Sequence, residues 1–162
     1  MQTEIQVEGV SAHEVKFALE REVTLVDVRV PSEFAKAHIP GAKNVPVYQS
    51  IRGWTPWKIL RRTGFALFGV FNATEPNVNF TAELASAVGG DPATQVILVC
   101  NSKGDMSRPP PPNNAELWHE VYQSRSLIAA YLATVDGFTN ISVLRTGFKA
   151  WQRDGRPVAK LS

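Results

Sequence analysis

Gln95-Val96-Ile97-Leu98-Val99-Cys100 is the stretch whose reading decides the fold. Its four consecutive aliphatic residues leave no polar face, so they read as a strand buried on both sides, the kind a parallel sheet requires. Upstream, residues 23–28 (Val-Thr-Leu-Val-Asp-Val) are a β-branched-rich apolar run that also reads as a strand buried on both faces, and downstream residues 141–144 (Ile-Ser-Val-Leu) read as a third strand. Helical patterns separate them. Ser11-Ala12-His13-Glu14 forms a capping box that opens a helix over residues 12–21. Pro31 sits where a helix can start, before a short helix over 32–37. Ile39-Pro40-Gly41-Ala42 is a turn, and residues 43–47 form a short strand punctuated by Pro46. Residues 59–71 read as an unusually apolar helix despite Gly64 and Gly69, and 80–88 as another, closed by Gly89-Gly90-Asp91-Pro92. Residues 124–136 read as a helix stopped by Gly137, and 148–153 as a last helix ended by Gly155. Strands alternating with helices imply an α/β fold with a parallel sheet flanked by helices on both faces. No repeat or linker divides the chain, so one domain over residues 1–162 is expected.

Composition agrees with a globular chain. Of 162 residues, 44% are hydrophobic and 20% charged, which suits a packed core rather than disorder. A formal net charge of +2 is too small to argue for a nucleic-acid partner, and none is expected. The opening Met1-Gln2-Thr3-Glu4 lacks the basic and apolar regions of a secretory signal. The longest apolar stretch, residues 65–71, is far short of the roughly 20 residues that cross a bilayer, so the expectation is a soluble protein without a transmembrane span. His13, His38 and His119 stand far apart, without ligand spacing, and a single cysteine makes no metal cluster; neither metal nor cofactor is expected.

That single cysteine, Cys100, has two readings. A lone cysteine is commonly a buried, inert hydrophobe. Its position argues otherwise, because ligands of parallel α/β sheets bind outside the carboxyl ends of the strands, and Cys100 follows the strongest strand directly. Asn101, Ser102, Lys103 and Gly104 are small or polar, so their backbone N–H groups can turn inward as a nest that stabilises an anionic sulfur, with the lysine adding positive field. Residues 101–117, which include a run of four prolines, Pro109 to Pro112, must be a loop.

Three segments carry a family resemblance. Leu25-Val26-Asp27-Val28-Arg29-Val30-Pro31-Ser32-Glu33-Phe34, followed by Ala37-His38-Ile39-Pro40-Gly41-Ala42-Lys43-Asn44-Val45-Pro46, resembles the opening signature of rhodanese homology domains. The strand ending in Cys100, with Ser124-Arg125-Ser126-Leu127-Ile128-Ala129-Ala130, resembles their cysteine strand and the Arg-Ser dipeptide that opens the next helix. Gly137-Phe138-Thr139-Asn140-Ile141 through Gly147-Phe148-Lys149-Ala150-Trp151 is similar to the closing segment. The resemblance implies a rhodanese-like fold with a five-stranded parallel sheet. It also implies a sulfurtransferase in which Cys100 accepts a sulfane sulfur as a persulfide and passes it to a thiophilic acceptor. Thiolate chemistry of this type needs N–H donors around the sulfur. Carried over, Cys100 is the nucleophile, and Asn101, Ser102, Lys103, Gly104 and Arg125 contact the substrate. Arg125 equally suits a first-turn ion pair. Asp27 and Arg29 read as a structural pair, and His38 as a hydrogen-bonder that fixes its loop.

The chain departs from the family pattern at two places. The Arg-Ser dipeptide usually follows the cysteine within one short loop, whereas Arg125 lies 25 positions beyond Cys100. A second insertion surrounds residues 54–79. Together with Phe-Gly-Val-Phe-Asn-Ala-Thr-Glu and Gln-Ser-Arg-Ser-Leu-Ile-Ala-Ala-Tyr-Leu, these insertions resemble a plastid rhodanese-like subgroup of plants and algae, which implies a chloroplast location. Phosphatases built on this fold need a cysteine and an arginine with about five residues between them to share one phosphate. Here position 106 is Met106 and the nearest arginine, Arg108, is misplaced, so phosphatase chemistry is excluded. The expected partners are a small sulfur donor or a thiol acceptor. A non-catalytic alternative is a rhodanese module that binds or regulates a protein partner. Its docking surface would be the insertions at 54–79 or 105–123, with Trp54, Trp57, Phe65, Phe68 and Phe71.

Overall fold

The computed structural model describes residues 7–50, 74–102 and 124–161. Seven strands occur among them: β1 (Glu8–Val10), β2 (Thr24–Asp27), β3 (Lys43–Asn44), β4 (Tyr48–Ser50), β5 (Thr74–Pro76), β6 (Val96–Val99) and β7 (Ile141–Leu144). The helices are α1 (Ala12–Glu20), α2 (Pro31–Lys36), α3 (Phe80–Ala87), α4 (Arg125–Val135) and α5 (Gly147–Arg153). Five strands form one parallel sheet in the order β1-β7-β6-β2-β3. The α/β architecture with a five-stranded parallel sheet is therefore as expected, and β6 is its central strand.

Side-chain alternation explains how both faces are filled. Val26, Val96, Leu98, Cys100, Ile141 and Val143 point to one side, where they pack with Phe80 and Leu84 of α3 and Ala129, Ala130 and Ala133 of α4. Leu25, Ile97, Val99 and Leu144 point to the other, against Ala12 and Val15 of α1 and Phe148 and Trp151 of α5. Each fully buried aliphatic side chain stabilises such a core by roughly 1.5–3 kcal/mol. The same two-residue period sends the Cys100 sulfur toward α4. From β2 the chain steps outward to β3, and from β6 it steps the other way to β7. The crevice where these directions part lies beyond the carboxyl ends of β2 and β6, where ligands of open α/β sheets bind.

Local chemistry sets the element ends. The Ser11 capping box is present: Glu14 N–H donates to Ser11 Oγ at 3.3 Å, and Ser11 N–H donates to Glu14 Oε2 at 2.6 Å. Pro31 occupies the first turn of α2 and Ser124 caps α4. The strand expected over 43–47 is confined to Lys43–Asn44, since Pro46 has no N–H to continue a ladder. Three short strands were not expected: β1 at the sheet edge, and the antiparallel pair β4–β5. Each has three residues, too few to display a period. The apolar helix expected over 59–71 lies outside the described residues. Among the described residues, no helix is long and apolar enough to cross a membrane.

Candidate functional site

The site is built where β2 and β6 end. Asp27 closes β2 and Arg29 follows two residues on, both buried. Arg29 Nε donates to Asp27 Oδ1 and Oδ2 at 2.9 and 3.0 Å, and its Nη2 donates to Oδ2 at 2.6 Å. A guanidinium at this depth is tolerated only if its remaining N–H groups also find acceptors. They do: Nη2 donates to the Ala37 carbonyl at 2.7 Å and Nη1 to Asn101 Oδ1 at 3.0 Å, while the guanidinium carbon stacks 3.9 Å from the centre of the Phe148 ring. The expected Asp27–Arg29 structural pair is present, and Arg29 also reaches the residue after the cysteine. His38 is likewise as read. Its Nδ1–H donates to the Phe34 carbonyl at 2.9 Å, and its ring stacks on Phe34 at 3.9 Å.

Asn101 links this pair to a second one. Its Oδ1 faces the Arg29 cation, so its Nδ2 is left to donate to Glu33 Oε1, at 2.8 Å. Glu33 also accepts from Arg125, Nη1 to Oε2 at 2.5 Å and Nη2 to Oε1 at 3.3 Å. Half-burial pushes the Glu33 carboxyl upward. The hydrogen bonds and charge of Arg125, aided by the charge of Arg29, outweigh that and hold it below the usual carboxylate range. Of the two readings open for Arg125, the structure contains the first-turn ion pair; the Arg125 side chain keeps 26% exposure at the rim.

Cys100 is 1% exposed. Its thiol donates to the Ser102 carbonyl at 3.3 Å, and its Sγ lies 3.3 Å from Ser126 Oγ. Ser126 in turn is 3.2 Å from Ser124 Oγ, which accepts the Leu127 N–H at 3.3 Å. The close approach of α4 to the sulfur follows from its buried stripe, Ser126, Ala129, Ala130 and Ala133, which are small residues at helical spacing. On the other face α5 holds the backbone: Phe148 N–H donates to the Cys100 carbonyl at 2.7 Å. Gly147 makes this possible. Its φ is +72°, and an added Cβ would lie 2.5 Å from the Ser102 carbonyl oxygen.

Of the residues expected at the site, Cys100, Asn101, Ser102 and Arg125 converge on one edge of the sheet. Lys103 and Gly104 lie outside the described residues, as do residues 105–123 and the aromatics Trp54, Trp57, Phe65, Phe68 and Phe71. At Ser102 the group facing the sulfur is a carbonyl rather than an N–H. Sequence reasoning assigned no role to Ser126, Ser124, Glu33 or Gly147. All four lie in the segments that carry the family resemblance, and Ser126 also begins an i, i+3, i+4, i+7 series of small residues. Among the described residues, no cluster of acidic, histidine or cysteine side chains could hold a metal.

Residues 11–154 match the family model described as "Rhodanese-like domain". A curated relative from Arabidopsis thaliana, "Rhodanese-like domain-containing protein 14, chloroplastic", is 41% identical over 139 residues, which is 86% of this chain and 58% of the relative. The chain thus spans less than two thirds of that relative's length. Among solved structures, a thiosulfate sulfurtransferase from Pseudomonas aeruginosa superposes with a TM-score of 0.54 at 21% identity, over 96% of this chain and 21% of its own. A polysulfide-sulfur transferase homodimer from Wolinella succinogenes gives 0.53 at 18% identity, over 96% and 80%. At such identities the two structures establish the fold alone.

Proposed function

The chain belongs to the rhodanese-like domain family, and on that premise we propose that it is a sulfurtransferase acting through Cys100, one domain located in the plastid as its chloroplastic relative is named. Cys100 thiolate attacks the outer sulfur of a donor such as thiosulfate. A bond forms from Sγ to that sulfur, the donor's S–S bond breaks, and its electron pair leaves with sulfite. A thiophilic acceptor then attacks the outer sulfur of the persulfide, and Cys100 leaves as thiolate. The observation that carries this reading is the position of the sulfur, at the end of the central strand and against the first turn of α4. Asn101, Ser102, Lys103, Gly104 and Arg125 remain the candidates for substrate contact. Arg125 suits an anionic donor best, by exchanging Glu33 for it at the rim.

A second reading, a rhodanese module that binds or regulates without turnover, draws on one observation. The thiol proton is committed to a carbonyl, and the sulfur is almost wholly covered. Intact mass after thiosulfate treatment separates the two. Sulfur transfer predicts a gain of about 32 Da that is absent from Cys100→Ser. No gain in the wild type, or an equal gain in the variant, favours the binding module.

A further inference from the structure

Three buried hydroxyl and thiol groups, those of Ser124, Ser126 and Cys100, stand in a row beside the apolar cluster that α3 and α4 form on one face of the sheet. Buried polar hydrogens need definite acceptors, so the direction of such a row can be worked out from its ends. At one end, the Leu127 N–H can only donate, and Ser124 Oγ is an acceptor for it. With two lone pairs and one hydrogen, Ser124 Oγ can still donate to Ser126 Oγ or accept from it, so this end leaves the direction open. At the other end, the Ser102 carbonyl can only accept, and it takes the one hydrogen a thiol possesses. Toward Ser126 the sulfur is then the acceptor. With the Ser126 hydrogen on the sulfur, Ser124 donates to Ser126 Oγ, and every hydrogen in the row has an acceptor.

We infer that Ser126 is a catalytic residue, whose hydroxyl donates to Cys100 Sγ and stabilises it as the leaving thiolate when the persulfide is discharged. The inference deepens the sulfurtransferase reading and takes its consequence from it, while the geometry stands by itself. An anionic sulfur repels the lone pairs of the Ser102 carbonyl, whereas the Ser126 hydroxyl needs no reorientation to serve it. The hydroxyl is fully buried and carried on the first turn of α4, where low dielectric and the positive helix end strengthen a bond to an anion.

The two half-reactions should feel this donor unequally. In loading, negative charge departs from Sγ as it bonds the sulfane sulfur. A donor to Sγ therefore gives loading no direct assistance. In discharge, the acceptor takes the outer sulfur, the S–S bond breaks and the electron pair returns to Sγ, so the donor assists directly.

Single-turnover mass measurements with thiosulfate as donor and cyanide as acceptor test this. Ser126→Ala should discharge about tenfold more slowly while loading changes by no more than about threefold. Ser126→Thr, which restores the hydroxyl, should recover discharge. Ser124→Ala, which leaves Ser126 in place without its directing neighbour, should give an intermediate rate and serves if the threonine variant does not fold. Equal slowing of both steps, or no slowing of discharge, overturns the inference. If the wild type accepts no sulfur, the sulfurtransferase reading falls and Ser126 is judged on another reaction, reduction of a Cys100–glutathione mixed disulfide by dithiothreitol. There Cys100 is again the leaving thiolate. A slower reduction in Ser126→Ala upholds the donor, and equal rates overturn it.

Discussion

Two ion pairs flank the cysteine, and they differ in nearly every physical respect. Asp27–Arg29 joins residues two apart, with side chains 1% and 3% exposed. Glu33–Arg125 joins residues 92 apart, with side chains 33% and 26% exposed. In the first, a forked cation with acceptors on all sides is part of the core, and losing either charge strands the other in low dielectric. In the second, water screens both charges, so the pair adds little stability and instead holds the start of α4 to α2. The first secures the crevice and the second aligns one of its walls.

The sharpest way to break the comparison is Arg29→Ala, which leaves the Asp27 carboxylate buried without its partner and removes the stack on Phe148. A loss of about 3–5 kcal/mol is expected, read as a lower urea midpoint at unchanged slope. A loss of less than about 1 kcal/mol would mean that water reaches Asp27 and that the two pairs are alike.

Asn101→Ala cuts the link between the pairs. It removes the acceptor of Arg29 Nη1 and a donor to Glu33, at an expected cost of about 1–2 kcal/mol. Combined with Glu33→Gln, the double variant should lose less than the two single losses together, by at least about 0.5 kcal/mol. Strict additivity would show that the pairs are independent.

The smallest effect belongs to Glu33→Gln, less than about 1 kcal/mol at neutral pH. Its pH dependence is more telling. Because the folded Glu33 lies below its ordinary value of 4.5, its contribution is complete above that value and is lost as the pH falls through the lower folded one. Wild type and variant should therefore differ at neutral pH and converge in the acid range below 4.5, as followed by denaturation at a series of pH values. A gap that persists unchanged to the acid limit would attribute the difference to packing, not charge.

Much of the fold was legible in the chain. The uninterrupted aliphatic run of β6 and the β-branched-rich run around β2 announce strands covered on both faces, and the Ser11 cap, Pro31 and Gly137 mark helix ends through their own backbone chemistry. These are local effects. The edge strand β1 and the β4–β5 pair escaped because three residues acquire strand character only from their partners.

The candidate site divides in the same way. Sequence by itself determined that Cys100 directly follows a strand buried on both faces, at the sheet edge where ligands of parallel α/β folds bind. Only the tertiary structure decided what meets Cys100 and Asn101 there: Ser126, 26 positions away, at the sulfur; Arg29, 72 positions away, at Asn101; and Glu33 between Asn101 and Arg125. The reason is physical. A periodicity is written by neighbours along one element, whereas a hydrogen bond between loops depends on strand order and helix crossing, which no spacing in the sequence records.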